Sequence, residues 1–184
     1  VNGCQSNNVI FKNVKILINN SSDFVITDNN NNFNLNLYRG SYELTPIIQN
    51  NYFISQPTSV TVSLPEDTIR QQFCITPNGI HHDVSVTIIP IRPARPGFSD
   101  ATYKIVIKNK GTQIESGTIL FNYDENKQDF ISATSTPLSL SSGELNFSFS
   151  NLQLFLTYEI IVTMRTNPPT DNPPIIPGDF IQLS

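Results

Sequence analysis

The sequence predicts an all-β fold, organised as two tandem β-sandwiches. Short runs of alternating apolar and polar residues recur along the 184 residues, whereas the 3.6-residue period of a helix is almost absent. The chain also contains 13 prolines, which are unfavourable inside helices. A Pro-Asn-Gly breaker at 77–79 separates two groups of alternating runs. We therefore expect one domain at residues 1–78 and a second at residues 79–184.

The first domain is predicted to consist of short strands joined by asparagine-rich and glycine-containing turns. The candidate strands are residues 9–18, 24–27, 33–37, 41–47, 52–54, 60–64 and 69–75. In the third, Phe33, Leu35 and Leu37 alternate with asparagines, which gives one apolar and one polar face.

The run at 28–32 before that strand predicts a turn, because Asp and Asn tolerate positive φ. Its alternating Asp28, Asn30 and Asn32 also resemble the start of a calcium loop. The glycine and the distal glutamate of such a loop are missing, so we favour the turn.

The second domain is predicted to contain seven strands at regular spacing. They are residues 84–89, 101–108, 115–123, 130–135, 144–149, 158–165 and 180–183. Seven short strands at this interval are typical of an immunoglobulin-like sandwich. Tyr158 stands where a tyrosine corner would bond its hydroxyl to the backbone, and a partly buried strand tyrosine is the alternative.

Composition and charge exclude several classes of function. Only 14% of the residues are charged, and Asn, Ser and Thr supply much of the polar surface, as is common in secreted β proteins. The net charge of -4 argues against nucleic-acid binding by phosphate neutralisation. No apolar stretch approaches the roughly 20 residues that span a bilayer, so we expect no membrane insertion. Both ends are abrupt, and we expect a mature or excised piece of a longer protein.

The titratable and nucleophilic residues form no recognisable catalytic constellation. The two histidines are adjacent, in His81-His82-Asp83, and neighbours on an extended chain point in opposite directions. We therefore favour a polar linker there over a metal site. No Gly-x-Ser-x-Gly elbow frames a serine. The sequence predicts a protein that is not an enzyme and that needs no cofactor.

The two cysteines, Cys4 and Cys74, lie near the two ends of the first domain. The first and last strands of a sandwich often lie close together, so a disulfide between them fits the predicted fold. Two separate buried thiols would fit it too.

Several motifs resemble a module of large surface proteins that Bacteroidota, especially flavobacteria, export by the type IX system. The similar segments are Phe-Cys-Ile-Thr at 73–76, Pro-Ile-Arg-Pro-Ala-Arg-Pro-Gly-Phe at 90–98, Ala-Thr-Tyr-Lys-Ile-Val at 101–106 and Lys-Asn-Lys-Gly at 108–111. The alternating strand at 32–37 and the Gly-Ser-Tyr-Glu-Leu return at 40–44 resemble a carboxypeptidase-regulatory or Cna-B domain, which has a prealbumin-like fold. An immunoglobulin-like domain follows it in the family's module.

The resemblance implies a secreted, extracellular or cell-surface module without an active site. It also implies a paired Cys4 and Cys74, and neighbouring domains in the same longer chain. Asp67-Thr68-Ile69 fits the short O-glycosylation pattern of exported Bacteroidota proteins, with Thr68 as the acceptor. An ordinary entry from a loop into a strand is the alternative.

Two functions are consistent with these predictions. The first is a structural spacer that holds other domains away from the cell surface. The second is an adhesin-like module that binds a glycan or a protein, through its end loops or by strand addition at an open sheet edge. Loop aromatics such as Tyr52, Phe53 or Phe98 would serve an end-loop site, and each could instead plug the end of its sandwich.

Overall fold

The computed structural model describes residue 11 and residues 13–64 and 69–184, and over these residues the chain is all-β. Its strands pair in antiparallel sheets. No helix forms in the described ranges, and so none there is long and apolar enough to cross a bilayer. The predicted all-β class is confirmed. The chain divides into two compact units, unit 1 (Val1–His81) and unit 2 (His82–Ser184).

Over its described residues, unit 1 forms a four-stranded sheet and a two-stranded sheet. In chain order its strands are β1 (Lys15–Ile18), β2 (Phe24–Ile26), β3 (Gly40–Ile47), β4 (Phe53–Gln56), β5 (Val60–Leu64) and β6 (Cys74–Pro77). The larger sheet has the order β2-β1-β3-β5, and β4 pairs with β6 in the smaller one. Ile16, Leu44 and Val62 are buried together on the larger sheet and form one core cluster of the unit.

Asparagines shape the turns of unit 1, as the sequence predicts. Asn19 and Asn20 follow β1 with φ of 53° and 50°, values that Asn adopts more readily than most residues. In the run at 28–32, Asp28 Oδ1 accepts hydrogen bonds from the backbone amides of Asn30 and Asn32, at 2.9 and 2.8 Å. This carboxylate closes a local turn, which is the structure that we favoured over a calcium loop.

One predicted strand of unit 1 has no partner among the described strands, and another is paired only at its end. The segment 33–37 alternates in burial as expected, with Phe33, Leu35 and Leu37 partly buried and Asn34 and Asn36 exposed, but no described strand pairs with it. The predicted closing strand at 69–75 pairs with β4 only from residue 74 onward. The alternation of buried and exposed side chains follows from the local sequence. Pairing in a sheet also needs a second strand at a distance of about 4.8 Å.

Unit 2 contains seven strands in two sheets. They are β7 (Val84–Arg92), β8 (Ala101–Asn109), β9 (Glu115–Asn122), β10 (Gln128–Ala133), β11 (Ser139–Ser141), β12 (Glu144–Leu152) and β13 (Thr157–Thr166). Six lie at predicted positions. The seventh, β11, is short and polar and was not predicted. The strand expected at 180–183 is reduced to a single bridge between Leu183 and Tyr123.

The two sheets of unit 2 pack as a sandwich with its own strand order. One sheet runs β10-β13-β8-β7 and the other β11-β12-β9. An immunoglobulin constant-type domain places its fifth strand beside its second and its seventh strand beside its sixth. Here β13, the seventh strand, lies beside β8, and β11, the fifth, lies beside β12. The sandwich architecture is as predicted, with the fifth and seventh strands exchanged.

Alternating strands build one core between these sheets. Ile105 and Ile107 of β8 and Ile160, Val162 and Met164 of β13 point inward from one sheet. The facing sheet contributes aromatic and leucine side chains, namely Phe121 of β9 and Leu145, Phe147 and Phe149 of β12. Large apolar side chains packed from both faces stabilise such a unit mainly by removing hydrocarbon from water.

Hydrogen bonds of the buried Gln128 side chain connect neighbouring strands of unit 2. Gln128 Nε2 donates to the Tyr103 hydroxyl at 3.1 Å and to Thr166 Oγ1 at 3.3 Å. Burial raises the pKa of Tyr103, an effect that the hydrogen bond from Gln128 partly offsets, so this hydroxyl stays protonated near neutral pH. The Tyr158 hydroxyl donates to Ser135 Oγ at 3.2 Å rather than to the backbone. Tyr158 is therefore a partly buried strand tyrosine, and the prediction of a tyrosine corner was wrong.

Candidate functional site

Two of the predicted modification sites fall outside the described residues. Cys4 and Thr68 belong to the segments 1–10 and 65–68, which the structure does not describe. Cys74 begins β6, is partly buried and is not a free thiol. The pairing of Cys4 with Cys74 and the glycosylation of Thr68 stay predictions.

The two histidines make contacts with different groups. His81 Nε2 lies 2.8 Å from the carbonyl oxygen of Asn78, and its ring stacks on Tyr52 with centroids 4.2 Å apart. His82 Nδ1 lies 2.8 Å from Glu115 Oε1. Among the described residues, no three or more His, Cys, Asp or Glu side chains converge into a group that could hold a metal ion.

The loop aromatics are not equivalent. Phe53 begins β4 and is only 2% exposed, so it plugs the interior of unit 1 and is not a surface contact. Tyr52 is partly buried under the His81 ring. Phe98 is 51% exposed, and the Arg95 guanidinium lies 4.3 Å from its ring centroid, in cation–π contact. Of the three, Phe98 alone is open to a partner.

One concave feature of unit 1 is a cleft of about 1090 Å³ beside its larger sheet. Leu44 of β3 and Val62 of β5 line it from the buried face of that sheet. The two unpaired segments, 33–37 and 69–71, line it as well. Polar side chains alternate with apolar ones along this lining, among them Asn34, Asn36 and Arg70. We call this feature the cleft.

A second cavity, of about 500 Å³, adjoins the cleft. Both are lined by Phe33 and Gln71, and the smaller cavity continues past Phe73 and Ile75 toward β1. The rings of Phe33 and Phe73 are 6.4 Å apart between centroids and form part of its wall. The Oδ1 atom of Asn31, which lines the same cavity, is buried and accepts no hydrogen bond within the described part of the chain. Such an atom favours a donor that would arrive with a ligand or with water.

The backbone of the two unpaired segments is the unusual chemical feature of the cleft. No backbone–backbone hydrogen bond joins residues 33–37 or residues 69–73 to another described residue. Peptide N–H and C=O groups are strong hydrogen-bonding groups that are almost always paired when they are buried. Within the described residues, the Gln72 carbonyl accepts a hydrogen bond from Gln71 Nε2 at 2.9 Å. Residues 34, 36, 69, 70 and 72 are exposed, so water can reach this backbone.

The described lining of the cleft contains one cationic and one anionic side chain, Arg70 and Asp28. Arg70 is exposed at the lining and forms no ion pair with a carboxylate of the described residues. The Asp28 carboxylate, also at the lining, is engaged by the amides of its own turn.

Sequence reasoning did not find this cleft, because it treated 33–37 and 69–75 as paired strands. One signal was present. Gln71 and Gln72 interrupt the apolar alternation of the closing segment just where its pairing stops. A polar pair at that point is compatible with a cleft wall and unusual in the middle of a sandwich sheet.

Comparison with known proteins adds no relative to this picture. No family model, no curated protein and no solved structure matches the chain. The resemblance to surface modules of Bacteroidota therefore stays a hypothesis.

Proposed function

We propose that the chain is a non-catalytic structural module of a large secreted or cell-surface protein. In this proposal the predicted domains, 1–78 and 79–184, act as a spacer for neighbouring domains of the same longer protein. The observation that supports it is that polar side chains of unit 2 form hydrogen bonds and ion pairs between separate strands and loops.

Asn109 is the clearest case. Its side chain is fully buried and connects three backbone segments at one end of the sandwich. Nδ2 donates to the carbonyl oxygens of Gln113 and Leu152 at 2.7 and 2.8 Å, and Oδ1 accepts from the Gly111 amide at 2.9 Å. These contacts join the end of β8, the loop after it and the end of β12, so the residue serves structure.

Ion pairs connect a second region of unit 2, around Arg165. Arg165 on β13 donates to Asp129 of β10 at 2.7 Å and to Asp171 at 3.1 Å. The second contact holds the proline-rich connection at 168–174, where Asn167 Nδ2 also donates to the Pro173 carbonyl oxygen at 3.4 Å. Because these hydrogen bonds hold the proline-rich connection against unit 2, it suits a structural spacer better than a freely accessible proline-rich ligand.

An extracellular location is part of the same proposal. It is supported by the low charged fraction and by the predicted Cys4–Cys74 disulfide, since disulfides persist in oxidising compartments.

The test is a binding screen of the whole chain against glycans, matrix proteins and intact bacterial or algal surfaces. The spacer proposal predicts no binding across the panel, while the full-length protein still binds its target. Specific binding of one glycan or matrix protein by this chain would contradict the spacer proposal as a complete account.

The second candidate is a binding module for a protein or glycan ligand. The cleft of unit 1 favours it, because a pure spacer needs no concave surface. Both candidates can hold for one chain, with unit 2 as the spacer and unit 1 as the binder.

A further inference from the structure

We propose that the outer edge of β9 in unit 2 accepts one extended polypeptide strand from a neighbouring domain of the same longer protein. The strand lies beside β9 and opposite β7, and it joins that domain to unit 2 through a continuous sheet. This inference rests on the proposed spacer function, and it adds how the spacer is connected to its neighbour. The structure describes every residue from 82 to 184, so this edge is known over its whole length within unit 2.

The backbone of β9 supplies the first argument. One side of β9 pairs with β12. On the other side, Asn122 and Ser184 exchange two backbone hydrogen bonds, of 2.7 and 3.2 Å. Such pairs recur at every second residue of an antiparallel ladder, so three more residues turn their amide and carbonyl to this side. They are Ser116, Thr118 and Leu120, and none has a backbone partner on this side among the described residues.

The composition of this edge supplies the second argument. Proteins usually keep exposed edge strands from pairing by proline, lysine or a bulge, or by making them very short. In unit 2, β7 contains Pro90 beside a bulge, β10 contains a bulge, and β11 has only three residues. β9 has eight residues, contains no proline, lysine or arginine, and pairs regularly with β12 from Gly117 to Asn122. Among the edges of unit 2, that of β9 is therefore the one suited to accept a strand.

The inner face of β7 supplies the third argument. Val86 pairs with the fully buried Ile107 and so faces the interior, but it is 48% exposed. Ile89, on the outer face of the same strand, is no more exposed, at 44%. The facing sheet has three strands against four. Phe121 of β9 lies 6.4 Å from Tyr103 of β8 between ring centroids, and β12 packs on β13. No strand of unit 2 is left to cover β7.

This geometry fits a single strand. Neighbouring strands lie about 4.8 Å apart, so one strand beside β9 is placed over β7 and covers Val86. A symmetric pair of two copies through β9 does not fit, because the β7 strands of both copies would have to share the space beneath one junction. The residues opposite Phe121 and Ile119 face the interior and should be apolar. Those opposite Leu120 and Thr118 face water and should be polar.

Continuity favours a strand of the same longer protein. Leu183 and Ser184 already enter this edge antiparallel to β9, through the bridge to Tyr123 and the bonds to Asn122. A strand in line with them continues an existing ladder in a fixed register. A tethered strand also meets the edge at an effective concentration on the order of 1 mM, so weak intrinsic pairing is sufficient.

The test extends the whole chain after Ser184 with Val-Thr-Val-Thr-Val-Thr. In the register set by Ser184 and Asn122, the valines face the interior and the threonines face water. We expect the amides of Leu120 and Thr118 to exchange with solvent at least about tenfold more slowly than in the unextended chain. Hα–Hα cross-peaks should connect the first added residue with Phe121.

Two controls separate pairing from a general effect of the added residues. Thr-Val-Thr-Val-Thr-Val has the same composition but directs its valines to water, so it should leave the exchange rates unchanged. Thr118→Pro in the chain extended with the first sequence should remove the protection of Leu120. The lost amide faces the added strand and does not bond to β12, a position where an edge strand tolerates proline. The shifted sequence tests the proposal even where the proline variant fails to fold.

The source of the strand is tested with the free capped peptide and the unextended chain. We expect a dissociation constant on the order of 1 mM, and a value below about 1 μM would assign the edge to a separate partner protein instead. Three further results would overturn the proposal. They are unchanged exchange in the extended chain, equal protection by both added sequences, and a dimer of the unextended chain through β9. The binding screen above does not depend on this edge, so the spacer function and the strand site can fail separately.

Discussion

The Phe147→Ala variant is expected to lower the free energy of unfolding of unit 2 by about 3–5 kcal/mol, the usual cost of emptying a phenylalanine site in a core. Phe147 lies on β12 between the two sheets and is 0% exposed. Its neighbours belong to paired strands of both sheets, which limits how far they can close the cavity. Urea denaturation, followed through amide signals of β8 and β13, measures the loss.

Phe180→Ala is the matched control. Phe180 belongs to the same unit and is 90% exposed, so the same truncation should change stability by less than about 0.5 kcal/mol. Equal effects of the two variants would contradict the core described for unit 2.

Asn109→Ala is expected to destabilise unit 2 by about 3 kcal/mol, although it removes only a small polar side chain. The change leaves the carbonyl oxygens of Gln113 and Leu152 without this donor, and each unpaired buried group costs about 1–3 kcal/mol. The Gly111 amide keeps its second acceptor, the Asp83 carbonyl oxygen at 3.2 Å. Asn109→Asp should also be destabilising, because a carboxylate cannot donate to the carbonyl oxygens of Gln113 and Leu152. The measurement is again the urea midpoint of unit 2.

Asn122→Ala provides the comparison for that prediction. Asn122 is exposed on β9, and its side chain makes one long contact, 3.4 Å from Nδ2 to Ser184 Oγ. We expect a change within about 0.5 kcal/mol. If Asn109→Ala changed the stability of unit 2 as little as this control, the hydrogen bonds of Asn109 would not stabilise this end of the sandwich.

Local sequence predicted the strands whose pattern is strong. The alternation of β8 and β13 sets which side chains face the core, because successive residues of a strand point to opposite faces. The same rule predicted that the side chains of His81 and His82 would point in opposite directions; His81 contacts the Asn78 carbonyl oxygen and His82 contacts Glu115. The polar strand β11 was missed because Ser-Leu-Ser carries almost no β signal.

The pairing partners of the strands could not be read from local sequence. Alternation in 33–37 predicts an apolar face, and the structure has it, but alternation does not tell which strand lies alongside. Likewise, β11 and β13 are both preceded by turns, and packing across the core decides which of them lies beside β8. The cleft is a consequence of missing pairing, so it became visible only in three dimensions.

Amide hydrogen exchange of the free chain tests the central claim most directly. The account predicts that amides of β8 and β13 are strongly protected, while those of 33–37 exchange about a thousandfold faster, as open edges do. Protection of 33–37 at the level of β8 would contradict it, since these amides would then already be paired.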